Sequence, residues 1–218
     1  MATSKVSSAV ETLKKAIRGI PISIPLSNSS SNLSGKTTSL ASDRRLIEIV
    51  FSFDTTGSLF RCLAEIHTRL TDIVQRLQAD IPGIRIAIIA HGDYCDTKKY
   101  VIQWIDFGAT LPELVDFIQK VEKTDGGDRD KCYELVLQRA REVLSWTPGS
   151  SRSLVIIGDS DPHSPGYDYG GIAYEINWKA EMAKLQVLNV RRTILMYEFT
   201  VLQSIIKEPR IFTKQFLQ

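Results

Sequence analysis

Two hydroxyl side chains follow an acidic residue at alternate positions, directly after an apolar run. The residues are Asp54, Thr56 and Ser58, and the apolar run before them ends at Phe53. A loop at a strand end can turn alternate side chains toward one point, so three oxygen atoms could converge there. Carboxylate and hydroxyl oxygens are the ligands that hard cations prefer. The spacing therefore indicates a site for a hard divalent cation.

Two more acidic residues stand at places where the chain should turn. Asp128 follows a Gly-Gly pair before a helical segment, and Asp159 follows the apolar run 154–157. Taken singly, Asp128 and Ser58 have an ordinary alternative explanation as helix N-caps. Taken together, the carboxylates would repel one another unless a cation lay between them. The predicted metal ligands are Asp54, Thr56, Ser58, Asp128 and Asp159.

The expected ion is Mg²⁺, with Mn²⁺ or Ca²⁺ as alternatives. Few carboxylates combined with two hydroxyls suit a small octahedral ion that keeps some of its water.

Segments of two kinds alternate from residue 45 onward and would position these ligands. Apolar, β-prone runs cover 46–53, 84–90, 100–107, 153–157 and 190–196, and segments of helical periodicity cover 59–77, 111–121, 131–146 and 172–188. Strands that alternate with helices need crossover connections. The pattern predicts a doubly wound α/β domain with a mainly parallel sheet, one antiparallel edge strand and helices on both faces. Ligands of such sheets bind beyond the carboxyl ends of the strands.

The two ends of the chain differ from its middle. Residues 1–43 are rich in serine and predict a disordered segment with a short amphipathic helix over 4–18. Residues 44–198 are predicted to form the α/β domain. Residues 199–218 are predicted to be a tail or an incomplete last element of that domain.

Composition narrows the class of protein. A formal net charge of +2 gives no indication of nucleic-acid binding, and charged residues interrupt every apolar run before it could span a bilayer. The three cysteines are widely spaced and form no C-x-x-C motif, which favours neither a disulfide framework nor a zinc knuckle. We expect a reducing, cytoplasmic setting, and the sequence leaves mitochondrial and secreted locations open.

Together these motifs resemble the von Willebrand factor type A (vWA) domain and its metal-ion-dependent adhesion site. The D-x-[ST]-x-S loop of that family is matched by Asp54, Thr56 and Ser58, and its last acidic loop is matched by Asp159. Further motifs are similar to the vWA subgroup linked to alpha-kinases: 91–96 (HGDYCD), 104–107 (WIDF), 126–128 (GGD), Trp146 and 161–167 (DPHSPGY). The resemblance covers 46 to about 196.

One departure from the general vWA pattern bears on the chemistry. The general family places a Thr in the middle loop, whereas this chain and the subgroup place Asp128 there. Three carboxylates around a dication would leave one excess negative charge, so the site should hold metal well but attract an acidic partner less. The resemblance then implies a metal that stabilises the loops or binds a neutral or basic partner group.

The function expected from the sequence is a divalent-cation-dependent protein-binding module of scaffold or adaptor type. It is expected to be no enzyme and to have no small-molecule substrate. One alternative is the regulatory vWA portion of an alpha-kinase-like system. Another is a serine hydrolase that uses Ser160 with His163, although residues three apart are too local for the usual geometry. His91 is either a partner contact or a satisfied loop histidine.

Overall fold

The computed structural model describes residues 46–57 and 59–196. The predicted N-terminal segment 1–43, the predicted C-terminal segment 199–218 and the predicted ligand Ser58 lie outside these residues.

Within the described residues the chain alternates between strands and helices. The strands are β1 (Ile47–Asp54), β2 (Arg85–His91), β3 (Ile102–Ile105), β4 (Ser151–Gly158), β5 (Tyr167–Tyr169), β6 (Ile172–Tyr174) and β7 (Val190–Met196). The helices are α1 (Phe60–Asp80), α2 (Leu111–Lys120), α3 (Tyr133–Glu142) and α4 (Trp178–Val187), with a 3₁₀ turn at Tyr94–Asp96.

The main sheet has five strands in the order β3-β2-β1-β4-β7. Strand β1 pairs in parallel with β2 and β4, β4 pairs in parallel with β7, and β3 is an antiparallel edge strand on β2. The predicted fold class is confirmed. The sheet is consistent with a vWA-like fold.

Helices cover both faces of this sheet because β1 is apolar on both sides. Ile49, Phe51 and Phe53 pack with residues of α1 and α2, whereas Val50 packs with residues of α3 and α4. Successive side chains of a strand point to opposite faces, so one continuous apolar run feeds two cores. Burial of each large apolar side chain contributes about 1.5–3 kcal/mol.

The prediction of one long helix over 172–188 is wrong in its first part. Residues 167–174 form the antiparallel hairpin β5–β6, and α4 begins after its N-cap Asn177. Gly170 and Gly171 form the turn with φ angles of +65° and +80°, a conformation that residues with a Cβ rarely adopt. The predicted helix over 131–146 is likewise shorter, spanning Tyr133–Glu142.

Among the residues described, no helix is both long enough and apolar enough to serve as a membrane span.

Candidate metal centre

Three strands end at the same edge of the sheet and bring polar residues together there. Asp54 ends β1 and lies in register with His91, which ends β2, while Gly158 ends β4 on the other side of β1. The chain order therefore reverses around β1, which is the place where open α/β sheets bind ligands. Asp54, Thr56 and His91 are fully buried.

The hydroxyl of Tyr133 joins two of the predicted ligand loops. It donates to Asp54 Oδ2 at 3.1 Å and accepts the main-chain N–H groups of Asp159 and Ser160 at 3.1 and 3.2 Å. The other carboxylate oxygen of Asp54 accepts the N–H of Thr56 at 2.7 Å. Both oxygens of Asp54 therefore accept hydrogen bonds from the protein itself. Burial, and next the charge of Asp54, raise the pKa of Tyr133, which keeps its phenol protonated.

Gly158 is required at the end of β4 by this arrangement. A Cβ at this position would lie 2.0 Å from Tyr133 Oη. Only a glycine lets the phenol reach the backbone of the loop that follows.

The loop before α3 is fastened to the loop after β1. Thr124 N–H donates to the carbonyl of Thr55 at 2.9 Å, and Gly57 N–H donates to the carbonyl of Asp125 at 3.3 Å. Gly126, at φ +68°, lies so close to Thr56 that a Cβ would come within 2.9 Å of the Thr56 Cβ. These contacts place Asp128, two residues further on, at the rim of the sheet.

Asp96 anchors the same loop from the other side. Its carboxylate accepts the N–H groups of Asp93 and Asp125 at 2.8 Å and that of Gly126 at 3.2 Å. A carboxylate served by several backbone donors is a stable structural element. Asp96 therefore fixes the loop rather than facing a ligand.

Three side chains at this edge of the sheet form a group that could hold a metal ion. In the part of the chain described, one ligand atom from each of Asp93, Asp128 and His163 lies within 4.8 Å of the other two. We call these residues the Asp–His group. His163 Nε2 is 2.8 Å from Asp93 Oδ1, and both side chains are buried, whereas Asp128 is exposed. Two carboxylates and an imidazole are a common donor set for a transition-metal dication.

The hairpin β5–β6 supports this group. Tyr167 donates its hydroxyl to Asp128 Oδ2 at 2.7 Å, and its ring stacks on His163 with centroids 3.7 Å apart. Glu134 accepts the main-chain N–H of His163 at 3.1 Å and the hydroxyl of Tyr94 at 2.7 Å. Asp128 and His163 are thus each held in place by contacts outside the group.

A buried cation lies beside the Asp–His group. Lys131 is 4% exposed, and its Nζ is 3.9 Å from Asp93 Oδ2. The same ammonium donates to the carbonyls of Asp128 and Asp130, the second at 3.0 Å. Asp93 Oδ2 itself accepts no hydrogen bond from the described residues.

Two ionisable groups near the site have shifted pKa values. Burial opposes a charged His163, but the hydrogen bond and negative charge of Asp93 outweigh it and raise the pKa of His163 above its ordinary value. Burial raises the pKa of Glu134 to about 7, against the hydrogen bonds that its carboxylate accepts. Glu134 therefore titrates near neutral pH, and His163 holds its proton more tightly than a free imidazole does.

The predicted ligands fall in two places. Asp54 and Asp159 are linked through Tyr133, and Thr56 lies beside Asp54. Asp128 belongs to the Asp–His group. The five-residue ligand set as a whole stays a prediction, since Ser58 lies outside the described residues.

Asp93 and His163 are the two residues of the group that the sequence did not assign as ligands. Asp93 comes two residues after β2, so the rule that placed Asp54 and Asp159 at strand ends would have found it. His163 lies in the loop after β4 and carried no such signal beyond its place in the motif 161–167.

His91 is neither a partner contact nor a satisfied loop histidine. It is fully buried, and both ring nitrogens lack a hydrogen-bond partner among the described residues. Burial lowers its pKa, against the opposing charge of Asp54, so the ring is neutral. Its edge-to-face contact with Tyr133, with centroids 5.0 Å apart, makes it part of the packing beneath the rim.

A wide, open pocket of about 630 Å³ lies in front of the Asp–His group. Its walls are the loop after Asp128 and the loop from His163 to Tyr167. An ion in the group would therefore face solvent on one side.

Comparison with known proteins supports the fold. The pilus adhesin SpaC of Lactobacillus rhamnosus GG is similar in structure over 71% of this chain and 25% of its own, with a TM-score of 0.54 and 12% identity. A second structure of SpaC, in an open conformation, matches over 62% of this chain and 18% of its own, with a TM-score of 0.48 and 15% identity. The chain thus spans about a quarter of the adhesin's length.

No family model matches this chain, and no curated protein matches it. The resemblance to the vWA subgroup linked to alpha-kinases stays a prediction.

Proposed function

We propose that this chain is a divalent-cation-dependent protein-binding module of vWA type, with its metal held at the carboxyl ends of the sheet strands. The observation that carries the proposal is the convergence of Asp93, Asp128 and His163 at that rim. Asp128 belongs both to this group and to the ligand set expected from the sequence.

Three features support a binding role. The fold is shared with part of a pilus adhesin, a binding protein by its name. The D-x-[ST]-x-S spacing of Asp54, Thr56 and Ser58 resembles the adhesion loop of vWA domains. The pocket in front of the Asp–His group leaves one side of an ion open to a partner's oxygen or nitrogen atom.

The charges at the rim favour a neutral or basic partner group. Asp128 and Asp130 line the pocket with Arg129, and Asp93 lies behind them. An acidic side chain would have to approach these carboxylates, and like charges at short range repel.

The proposal is tested by metal-dependent capture with the full chain as bait. Candidate partners are captured in the presence of Mg²⁺, Mn²⁺ or Zn²⁺ and again with EDTA, and each captured protein is purified and titrated back. Wild type should bind with the metal and release with EDTA, and Asp128→Asn should not bind.

Asp125→Asn is the matched control, because Asp125 is an exposed carboxylate of the same loop that lies outside the group and pairs with Lys99. This variant should bind like wild type. Binding that survives EDTA, or that Asp128→Asn retains in full, would contradict the proposal.

We further propose that the chain is not an enzyme. Ser160 Oγ donates to Asp159 Oδ1 at 3.3 Å, while His163 Nε2 is engaged by Asp93, so different groups hold the two residues of the hydrolase alternative. A panel of activated esters tests this directly. Turnover by wild type that Ser160→Ala loses would establish a hydrolase instead.

We also propose that the protein works in a reducing, cytoplasmic setting. Cys95 and Cys132 are both free, in keeping with it.

A further inference from the structure

We propose that the Asp–His group selects a zinc-like transition dication over Mg²⁺ through the imidazole of His163, and that the ammonium of Lys131 limits how tightly either ion binds. The inference rests on the metal centre of the proposed function and names the ion class that the centre takes. It differs from the Mg²⁺ expected from the sequence.

An unsatisfied oxygen points to a cation at this place. Asp93 is fully buried, and its Oδ2 accepts no hydrogen bond from the described residues. A buried carboxylate oxygen without a donor is costly unless a cation faces it. Lys131 Nζ faces it from 3.9 Å, too far for a hydrogen bond. The oxygen therefore retains capacity for a closer cation.

The donor atoms favour a transition metal. His163 Nε2 shares a hydrogen bond of 2.8 Å with Asp93 Oδ1, so an ion that bound both atoms would replace the shared proton. Imidazole nitrogen suits Zn²⁺ and its neighbours, whereas Mg²⁺ takes oxygen ligands and keeps several waters. Mg²⁺ would gain little from His163, while Zn²⁺ would gain a bond.

The charge of Lys131 lowers the affinity of the site for any dication. The two carboxylates of the group and the ammonium of Lys131 sum to one net negative charge. A fixed cation nearby repels Mg²⁺ and Zn²⁺ by the same Coulomb energy, because both carry two charges, so it lowers both affinities. The bond from Zn²⁺ to nitrogen offsets this penalty, whereas Mg²⁺ has no comparable bond. Lys131 cannot easily move away, because it is buried and donates to the carbonyls of Asp128 and Asp130.

The outer contacts fit a metal centre of this kind. Ligating carboxylates and imidazoles in proteins are themselves hydrogen-bonded, which fixes their orientation. Tyr167 does this for Asp128, and Glu134 holds the backbone of His163. The stacking of Tyr167 on His163 fixes the plane of the imidazole.

The first experiment compares ions on the full chain, stripped with EDTA and dialysed. Calorimetric titration should show Zn²⁺ binding at least about a hundredfold tighter than Mg²⁺. His163→Asn should remove most of that preference. Asp128→Asn should weaken the binding of both ions by more than roughly 10–100-fold, which is the usual cost of losing a residue that only hydrogen-bonds a metal ligand. Asp128 is exposed, so this variant leaves the buried packing unchanged.

The second experiment isolates the charge of Lys131. Lys131→Met should raise the affinities for Mg²⁺ and Zn²⁺ by a similar factor, on the order of tenfold. Lys131→Arg keeps the charge and should bind Mg²⁺ like wild type. A folded Lys131→Met variant with unchanged or weaker Mg²⁺ binding would overturn the role of this residue.

Co²⁺ provides a spectroscopic readout of the ligands. Its visible absorption should report nitrogen and oxygen ligation and should disappear in His163→Asn. Cys95 lies near Gly127, where a Cβ would come within 2.9 Å of its sulfur, so a thiolate is the rival ligand. A thiolate charge-transfer band that Cys95→Ser removes would overturn the assignment.

Failure of this inference can be told apart from failure of the proposed function. Equal affinities for Zn²⁺ and Mg²⁺, both lost in Asp128→Asn, would contradict the proposed ion selectivity but not the proposed metal centre. If Asp128→Asn still binds both ions like wild type, both the proposed metal centre and its selectivity are contradicted.

Discussion

Two buried carboxylates lie at opposite ends of the parallel sheet, and their partners differ. Glu48, near the amino end of β1, accepts hydrogen bonds from Arg85 at 2.5 Å, from the main chain and side chain of Thr147 at 2.9 and 2.8 Å, and from Ser150 at 2.6 Å. Asp93, beyond the carboxyl end of β2, has one oxygen that accepts nothing from the described residues. Both residues are fully buried.

The difference separates a structural role from a binding role. A buried charge with a full set of donors ties chain segments together and needs nothing more. A buried charge with an unsatisfied oxygen costs stability unless something else contacts it. We therefore propose that the amino end of the sheet acts as a structural clamp and that the carboxyl end is the binding end.

The largest effect is expected at the clamp. Glu48→Ala would leave Arg85, which is 28% exposed, without its partner and would remove acceptors for Thr147 and Ser150. Loss of one member of a buried ion pair costs about 3 kcal/mol or more. Urea unfolding should show this loss, while Zn²⁺ affinity should stay at the wild-type value. A loss below about 1 kcal/mol would remove the distinction between the two ends.

Ionisable groups at the carboxyl end of the sheet should make the free energy of unfolding fall as pH rises. The pKa of Glu134 is raised from 4.5 to about 7 in the folded protein. The stabilisation that protonated Glu134 gives the folded state is therefore fully present below pH 4.5 and is lost as pH rises through about 7. His163, whose pKa is also raised, adds to the same trend.

For the metal-free protein we expect the free energy of unfolding to fall by on the order of 2 kcal/mol across this range. Urea titrations in EDTA at a series of pH values measure the slope, and Glu134→Gln should flatten it. A slope of opposite sign in wild type would contradict the assignment of Glu134.

A smaller loss is expected where the two predicted ligand loops are joined. Tyr133→Phe removes the donor to Asp54 and the acceptor for the Asp159 and Ser160 N–H groups. We expect a loss of about 1–2 kcal/mol in urea unfolding. Tyr169→Phe is the matched control, because Tyr169 is 40% exposed at the hairpin, and it should change stability by less than about 0.5 kcal/mol. Equal effects from both variants would show that the Tyr133 hydroxyl joins nothing.

The smallest effect on stability should come from the exposed member of the Asp–His group. Asp128→Asn keeps the shape of the side chain and should change the free energy of unfolding by about 0.5 kcal/mol or less in EDTA. With Zn²⁺ present, wild type should gain thermal stability and the variant should not. A variant that Zn²⁺ stabilises as much as wild type would place the ion elsewhere.

Local pattern was enough to predict most of the fold. The buried strands β1, β2 and β4 are near-continuous apolar runs, and the helices between them carry apolar residues at helical spacing, so both could be read without the structure. The hairpin β5–β6 was missed because its segments are three residues long and its apolar and aromatic residues also fit a helical face. The Gly170-Gly171 pair was the signal for a turn.

The candidate site was harder to predict because it depends on contacts between distant segments. Asp54, Asp128 and Asp159 could be placed at one edge of the sheet by the strand-end rule. Which of them would share a point with Asp93 and His163 depends on the Tyr133 hydroxyl, on the Asp96 anchor and on the stacking of Tyr167. No spacing within one segment encodes these contacts.

The hairpin β5–β6 pairs with itself and lies outside the five-stranded sheet. One wall of the pocket ends at Tyr167, the first residue of this hairpin, which the main hydrogen-bond ladder does not constrain. A shift of the strand that carries Tyr167 would reshape this wall while the core keeps its register. The shape of the pocket can therefore vary through a few residues without cost to the main sheet.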